Sequence, residues 1–187
     1  MSLENFSLAT SISRAKLPGL ILTLSANSAT EIAKSAVKWT SADSGVVIPE
    51  SLSLLLTSDE AVRKLNASFR GMDKTTNVLS FPQFKRQEIK KFSARAQEIY
   101  SVGDIALSSL YVAQEAKIQG KILKNHVTHL LIHGILHLFG YDHMTAAQAA
   151  RMEILEKKIM AELGLPDPYE SPTPTKAKRA TSRRTKA

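Results

Sequence analysis

The chain has 187 residues, 43% of them hydrophobic and 22% charged, a globular profile with enough length to bury one sizeable core. It contains no cysteine, which excludes disulfides and thiolate metal sites and leaves nitrogen and oxygen as the ligands open to a metal. The formal net charge of +8 is concentrated at one end: residues 171–187 carry six Lys or Arg and no acid, and the rest of the chain sets 19 bases against 17 acids.

No stretch is long enough to span a bilayer. Near the start, "LPGLILTL" (17–24) follows Arg14 and Lys16 like the opening of a signal peptide. It is short, lacks a small-x-small exit and runs into an amphipathic helix, so it reads as a buried strand. "SATE" (28–31) has the capping-box pattern, and the helix it opens, about 29–40, turns Ile32, Ala33, Ala36, Val37 and Trp39 inward. "SLSLLL" (51–56) reads as a strand, "TSDE" (57–60) as a second capping box, and "AVRKLNASF" (61–69) as its helix.

Two further strands are written in "NVLSF" (77–81) and "IYSVGDIAL" (99–107), separated by a polar loop over 82–98. "SSLYVAQEAKIQG" (108–120) is a helix closed by Gly120, and "TAAQ" (145–148) is a third capping box. There is no internal repeat. Strands and helices interleave without a strict βαβ rhythm, which predicts an α+β domain over residues 1–170 with a mixed sheet of about four strands. The tail, 171–187, combines Pro and Thr, no large apolar residue and unopposed charge, the composition of a disordered basic segment. It reads either as a solvated appendage or as an electrostatic tether to RNA.

Between Ile122 and Phe139 the chain is apolar on nearly every side, the pattern of a central buried helix. All five histidines of the protein lie in or just after this stretch: His126, His129, His133, His137 and His143. Imidazole is costly to seat among Leu, Ile and Phe unless a metal, a proton-transfer site or a set of hydrogen bonds requires it. His133 and His137 are four apart and project from one helix face. Gly140 then lets the chain turn, so that His143 can fold back toward them. Three neutral imidazoles leave a fourth tetrahedral position for water, the layout of a catalytic zinc site. His129 and His137 are about 12 Å apart along the axis, too far to share an ion. His129 and His126 are therefore expected as hydrogen-bonded partners, His126 near solvent at the helix start. The residue after His133 is Gly134, where an H-E-x-x-H peptidase carries its Glu base. A glycine inside a helix costs about 1 kcal/mol against Ala, so a close neighbour is expected there.

"HGILHLFGYDH" (133–143) resembles the H-G-x-L-H-L-x-G-Y-D-H signature of the YbeY family of bacterial rRNA-maturation endoribonucleases. "LNASFRGMDKTTNVLSFP" (65–82), "GDIALS" (103–108) and "RMEILEKKIMAELGLPDPY" (151–169) resemble further blocks of that family. Thr75 stands where the family often has Pro, and Asn77 where Asp is common. The resemblance implies a zincin-like metal-dependent hydrolase in the cytoplasm, with one zinc ion on His133, His137 and His143 and with Arg70 important for activity. It implies single-strand-specific cleavage of RNA in the late maturation of the 16S rRNA 3′ end and in ribosome quality control. The implied partners are rRNA and the small or assembling ribosomal subunit, with neither membrane nor DNA expected. Arg70 suits such a role because guanidinium binds phosphate bidentately. Asp142, next to His143, could orient a ligand imidazole or serve in proton transfer; an orienting or purely structural role is expected, since a G-Y-D-H turn gives Asp local backbone donors. From the residues alone, a metallopeptidase and a non-catalytic ribosome-assembly factor with a structural zinc remain alternatives. The fourth ligand separates them: water there fits catalysis, a protein carboxylate a structural ion.

Overall fold

The computed structural model describes residues 7–12, 26–44, 51–85, 87–89 and 101–170. In chain order these form β1 (Ser7–Ile12), α1 (Ala26–Ser44), β2 (Ser51–Thr57), α2 (Asp59–Arg70), β3 (Val78–Pro82) and β4 (Ser101–Ser108). Three helices follow: α3 (Ser109–Ile118), α4 (Leu123–Leu138) and α5 (Ala146–Glu162). The strands make one sheet in the order β1-β2-β4-β3. β1, β2 and β4 run parallel, and β3 pairs antiparallel with β4 at the edge. This is the expected α+β domain with a four-stranded mixed sheet. β1 was not predicted, and the strand expected at 17–24 lies outside the described residues, as does the tail 171–187.

The two faces of the sheet are covered unequally. Leu52, Leu54, Leu56, Ile105 and Leu107 point to one face and join Ile32, Ala33, Ala36 and Val37 of α1 and the apolar side chains of α4 in the main core. As predicted, Trp39 is inward, only partly buried against that core. Leu55, Leu79, Phe81 and Ala106 point to the other face, where Val62 and Leu65 of α2 make a smaller cluster. The alternation along β2 and β4 is the period-two signature of a sheet with apolar contacts on both sides.

The helix starts follow local chemistry with two corrections. Thr145 caps α5 as read, its Oγ1 accepting from the Gln148 backbone N–H (3.3 Å) while Gln148 Oε1 accepts from the Thr145 N–H (2.9 Å). At α2 the cap is Ser58 rather than Thr57, with Ser58 Oγ accepting from the Ala61 N–H. Ser58 precedes two acids, Asp59 and Glu60, which favour the positive end of the helix dipole. At α1 the helix starts before "SATE", so Ser28 lies inside the first turns and is not the cap.

α4 is the hub. Val127, Leu131, Ile132, Ile135, Leu136 and Leu138 are fully buried, and the helix packs on α1, α3, α5, β3 and β4. Its closest approach to the sheet is at Gly134, whose carbonyl accepts from Ser80 Oγ (3.1 Å). A Cβ built there would meet Ile105 Cδ1 at 3.1 Å and Ser80 Oγ at 3.2 Å, which is the neighbour the helical glycine implied. No helix among the described residues is long and apolar enough to cross a membrane.

Gly134→Ala is therefore expected to destabilise. Helix propensity alone predicts a gain of about 1 kcal/mol. Overpacking against β3 and β4 costs about 1–3 kcal/mol, and a net loss near 1 kcal/mol lowers the melting midpoint by about 2–4 °C. A thermal scan of the variant decides the sign.

Candidate metal centre

α4 ends in two hydrogen bonds that together form a Schellman turn. The Tyr141 N–H reaches the Leu136 carbonyl (3.1 Å) and the Gly140 N–H the His137 carbonyl (2.9 Å). Gly140 sits at φ +77°, a left-handed conformation open to glycine at little cost. The turn sends the chain back along the helix it has just left. Tyr141 is buried, and its hydroxyl donates to Asp43 on α1, which also accepts from Arg151 on α5 (2.8 Å). The arc carrying His143 is thus held from two helices. Asp142 Oδ1 accepts from the His143 backbone N–H (2.8 Å), a bond within its own turn.

This path brings His133, His137 and His143 together. One ring nitrogen from each lies within 4.8 Å of the others, and among the described residues they form the one group able to hold a metal. Ring centroids are 4.6 Å apart for His133–His137, 5.1 Å for His137–His143 and 5.4 Å for His133–His143.

The hydrogen bonds decide what these nitrogens present. His133 Nδ1 faces Glu156 Oε1 at 2.7 Å, and His137 Nδ1 faces the Tyr141 carbonyl at 2.9 Å. A carbonyl and an ionised carboxylate only accept, so each Nδ1 carries its ring's proton and each Nε2 is left with a lone pair. Those two Nε2 atoms lie 3.1 Å apart. Two lone pairs at that distance repel unless a cation joins them. Zinc–nitrogen bonds of about 2.0–2.1 Å at a tetrahedral angle separate ligand atoms by about 3.3 Å, so the donor set fits zinc. Burial, reinforced by the neighbouring His133 and His143, lowers the His137 pKa to about 4, so the imidazole is neutral and ligand-competent at neutral pH.

Glu156 was not singled out by sequence reasoning. It is fully buried on α5, and its two oxygens accept from three groups: His133, His129 Nε2 (3.2 Å) and the Tyr169 hydroxyl. Burial alone would raise its pKa; the hydrogen bonds from His129 and His133 reverse this and hold it at about 2. The signal was present in the spacing of Met152, Leu155, Glu156 and Ile159, which sets a carboxylate on the apolar stripe of a helix. His129 is the hydrogen-bonded neighbour it was expected to be.

His126 differs from expectation in one respect. It is 4% exposed rather than near solvent, with Nε2 against Glu115 Oε2 at 2.7 Å, because α3 packs on α4 and brings Glu115 to it. Arg70 ends α2, the helix on the other face of the sheet. It is exposed and has no hydrogen bond or ion pair to the histidines among the described residues. A cleft of about 330 Å³ opens beside two of the three histidines, lined by His133, His143, Ala149, Met152, Glu153, Glu156 and Tyr169.

Two outcomes test this account. Glu156→Ala removes the acceptor that fixes the His133 tautomer, and affinity for a divalent metal is expected to fall about 10–100-fold, read by competition with a chelator. In the metal-free protein, His137 protonates in the unfolded chain near its ordinary 6.5 but in the folded one only near 4. The unfolded state thus holds more protons across that window, and stability drops as pH falls from 6.5 to 4. Glu156, lowered from 4.5 to about 2, adds a second loss in the same direction below pH 4.5. Denaturant midpoints of the metal-free protein across this range, with a plateau above pH 7, are the check.

Comparison with known proteins bears on the same residues. The family model described as endoribonuclease YbeY matches residues 22–164. A curated relative of that name from Rhodopseudomonas palustris (strain BisB5) is 50% identical over 120 residues, 63% of this chain and 60% of the relative. Another from Rhodopseudomonas palustris (strain HaA2) is 46% identical over 138 residues, 73% of this chain and 68% of the relative. A third from Rhizobium etli (strain CIAT 652) is 47% identical over 123 residues, 66% and 68% of the two chains. The chain therefore spans about 60–68% of the length of these relatives. The solution structure of TM1509 from Thermotoga maritima shares the fold, with a TM-score of 0.51 and 22% identity over 88% of this chain and 99% of that one. With the family match running through most of the chain and across all three clustered histidines, the protein belongs to the YbeY family.

Proposed function

We propose that the protein is a zinc-dependent endoribonuclease that cleaves single-stranded RNA, acting on precursor rRNA near the 16S 3′ end and on assembling ribosomes. One observation carries the catalytic reading. Three imidazole nitrogens converge, and among the described residues no carboxylate completes their group. Glu156, the carboxylate next to them, is spent on His133, His129 and Tyr169. With three nitrogen donors and no fourth protein ligand among the described residues, an ion held there would keep a position for water, which favours catalysis over a purely structural zinc. The peptidase alternative is disfavoured at Gly134, which packs against Ile105 and Ser80 where a Glu base would stand.

His133, His137 and His143 would hold a zinc ion, which would supply a Lewis acid for a phosphate oxygen and lower the pKa of water. The chain's own contribution is orientation. Glu156 and the Tyr141 carbonyl fix two imidazoles in the tautomer that presents Nε2, and the Gly140 turn delivers the third. Glu153 lines the cleft as a second carboxylate, with no hydrogen-bond or ion-pair partner among the described residues. Arg70, exposed and unpaired among the described residues, leaves its guanidinium open to an RNA phosphate. The names of the relatives and the motif shared with them support RNA as substrate.

Replacing His133, His137 and His143 together by Ala is expected to abolish bound zinc, measured by elemental analysis, and to abolish cleavage of a precursor rRNA. Arg70→Ala is expected to keep zinc content and the thermal midpoint while cleavage falls sharply, with Lys rescuing only in part because a point charge cannot reproduce the fork. An Arg70 variant that loses zinc or unfolds early would make the residue structural.

A further inference from the structure

Tyr169 stands out at the lip of the cleft. It lines the same space as His133 and His143, and it is 44% exposed although its hydroxyl is engaged. That hydroxyl donates to Glu156 Oε2, while Oε1 of the same carboxylate accepts from the metal-facing His133. One buried anion therefore fixes both a metal ligand and an open aromatic ring. His129 backs the ring edge-on, with centroids 5.4 Å apart and planes at 77°. The Lys157 ammonium lies 5.5 Å from the ring centroid and pairs with Asp167 (3.1 Å).

A tyrosine with a free hydroxyl offers a substrate a hydrogen bond. Here the hydroxyl is already used, and burial beside Glu156 raises its pKa, so it stays protonated. What remains on offer is the ring itself, held in place before any ligand arrives. Aromatic rings in that setting bind flat π-systems, and every nucleobase has one regardless of sequence.

We propose that Tyr169 is a base-binding residue: a nucleobase next to the scissile phosphate, in single-stranded RNA, stacks on its ring. This rests on the reading of the cleft as a ribonuclease centre and adds the physical source of strand selectivity. In a duplex both faces of a base are stacked on neighbours, and freeing one costs a few kcal/mol. In a single strand the base is available, and the platform beside the metal recruits it. Lys157, 46% exposed, is placed to exchange Asp167 for the phosphate of the stacked nucleotide. The ring and His133 share one carboxylate, Glu156, so the stacking platform is positioned relative to the histidine cluster.

The test uses the full-length zinc-loaded protein and a short single-stranded oligoribonucleotide in which the fluorescent base 2-aminopurine is walked along the sequence. Stopped-flow mixing reads binding before cleavage. One position is expected to be quenched by the wild type and by Tyr169→Phe, which keeps the ring, and not by Tyr169→Leu. An abasic nucleotide at that position should weaken wild-type binding about 10–100-fold and leave the Leu variant unaffected, and a duplex should give no quench. If no position is quenched, if Tyr169→Leu quenches as well as the wild type, or if Tyr169→Phe loses as much as Leu, the proposal is wrong. Zinc content is measured on every variant. Should Tyr169→Leu lose zinc, Tyr169→Trp decides instead: stacking predicts affinity at or above wild type, and a drop overturns it. If base-dependent quenching holds but the wild type cleaves no RNA, the ribonuclease reading falls and the stacking site stands.

Discussion

The carboxylate of Glu156, with no solvent exposure, holds this structure's functional end together. An ionised carboxylate in an apolar interior is expensive unless its lone pairs are met by donors, and here His133, His129 and Tyr169 meet them. The same bonds run from α5 to two turns of α4 and to the segment after α5. Each partner loses rotational freedom in exchange for a charge-assisted hydrogen bond. The proton arrangement at His133 is then fixed by what Glu156 can accept, and the lone pair is left facing the other two histidines.

A second constraint sets the third histidine. Residues 139–143 fold back because Gly140 takes a left-handed conformation, and they stay back because Tyr141 is anchored to Asp43. Asp43 sits low in pKa: burial pushes it up, but the Tyr141 and Arg151 hydrogen bonds more than compensate. The anchor therefore draws α1, α4 and α5 to one point beside the three clustered histidines. Packing at Gly134 seats an adjacent face of α4 against the sheet, so the helix bearing His133 and His137 has little room to rotate.

Much of this was legible in the order of residues. Helical spacing brought His133 and His137 to one face, and a glycine three residues past His137 marked the turn that returns His143. The capping chemistry at Thr145, the strand at 51–56 and the apolar circumference of α4 read correctly because each depends on neighbours within a few positions. The errors have one cause as well. Several hydroxyl residues near a helix start can cap it, so Ser58 rather than Thr57 was chosen by the geometry of entry from β2, and α1 began ahead of its apparent box. β1 is a short edge strand with no turn signal or long apolar run to announce it.

The sequence by itself determined which side chains could become ligands, since with no cysteine and five clustered histidines the spacing left one workable triad. It also determined that the helix carrying them is buried, because no face of it is polar enough to meet water. Tertiary structure alone decided what surrounds them. Glu156 lies 23 residues from His133 and reaches it only because α5 packs across α4. His126 is buried where α3 packs on α4 and Glu115 meets it, and Tyr169 lines the cleft beside His133 only because the chain after α5 folds back along its own helix. Periodicity reports which face of an element is buried; which elements meet across that face is set by long-range packing, and no local pattern encodes it.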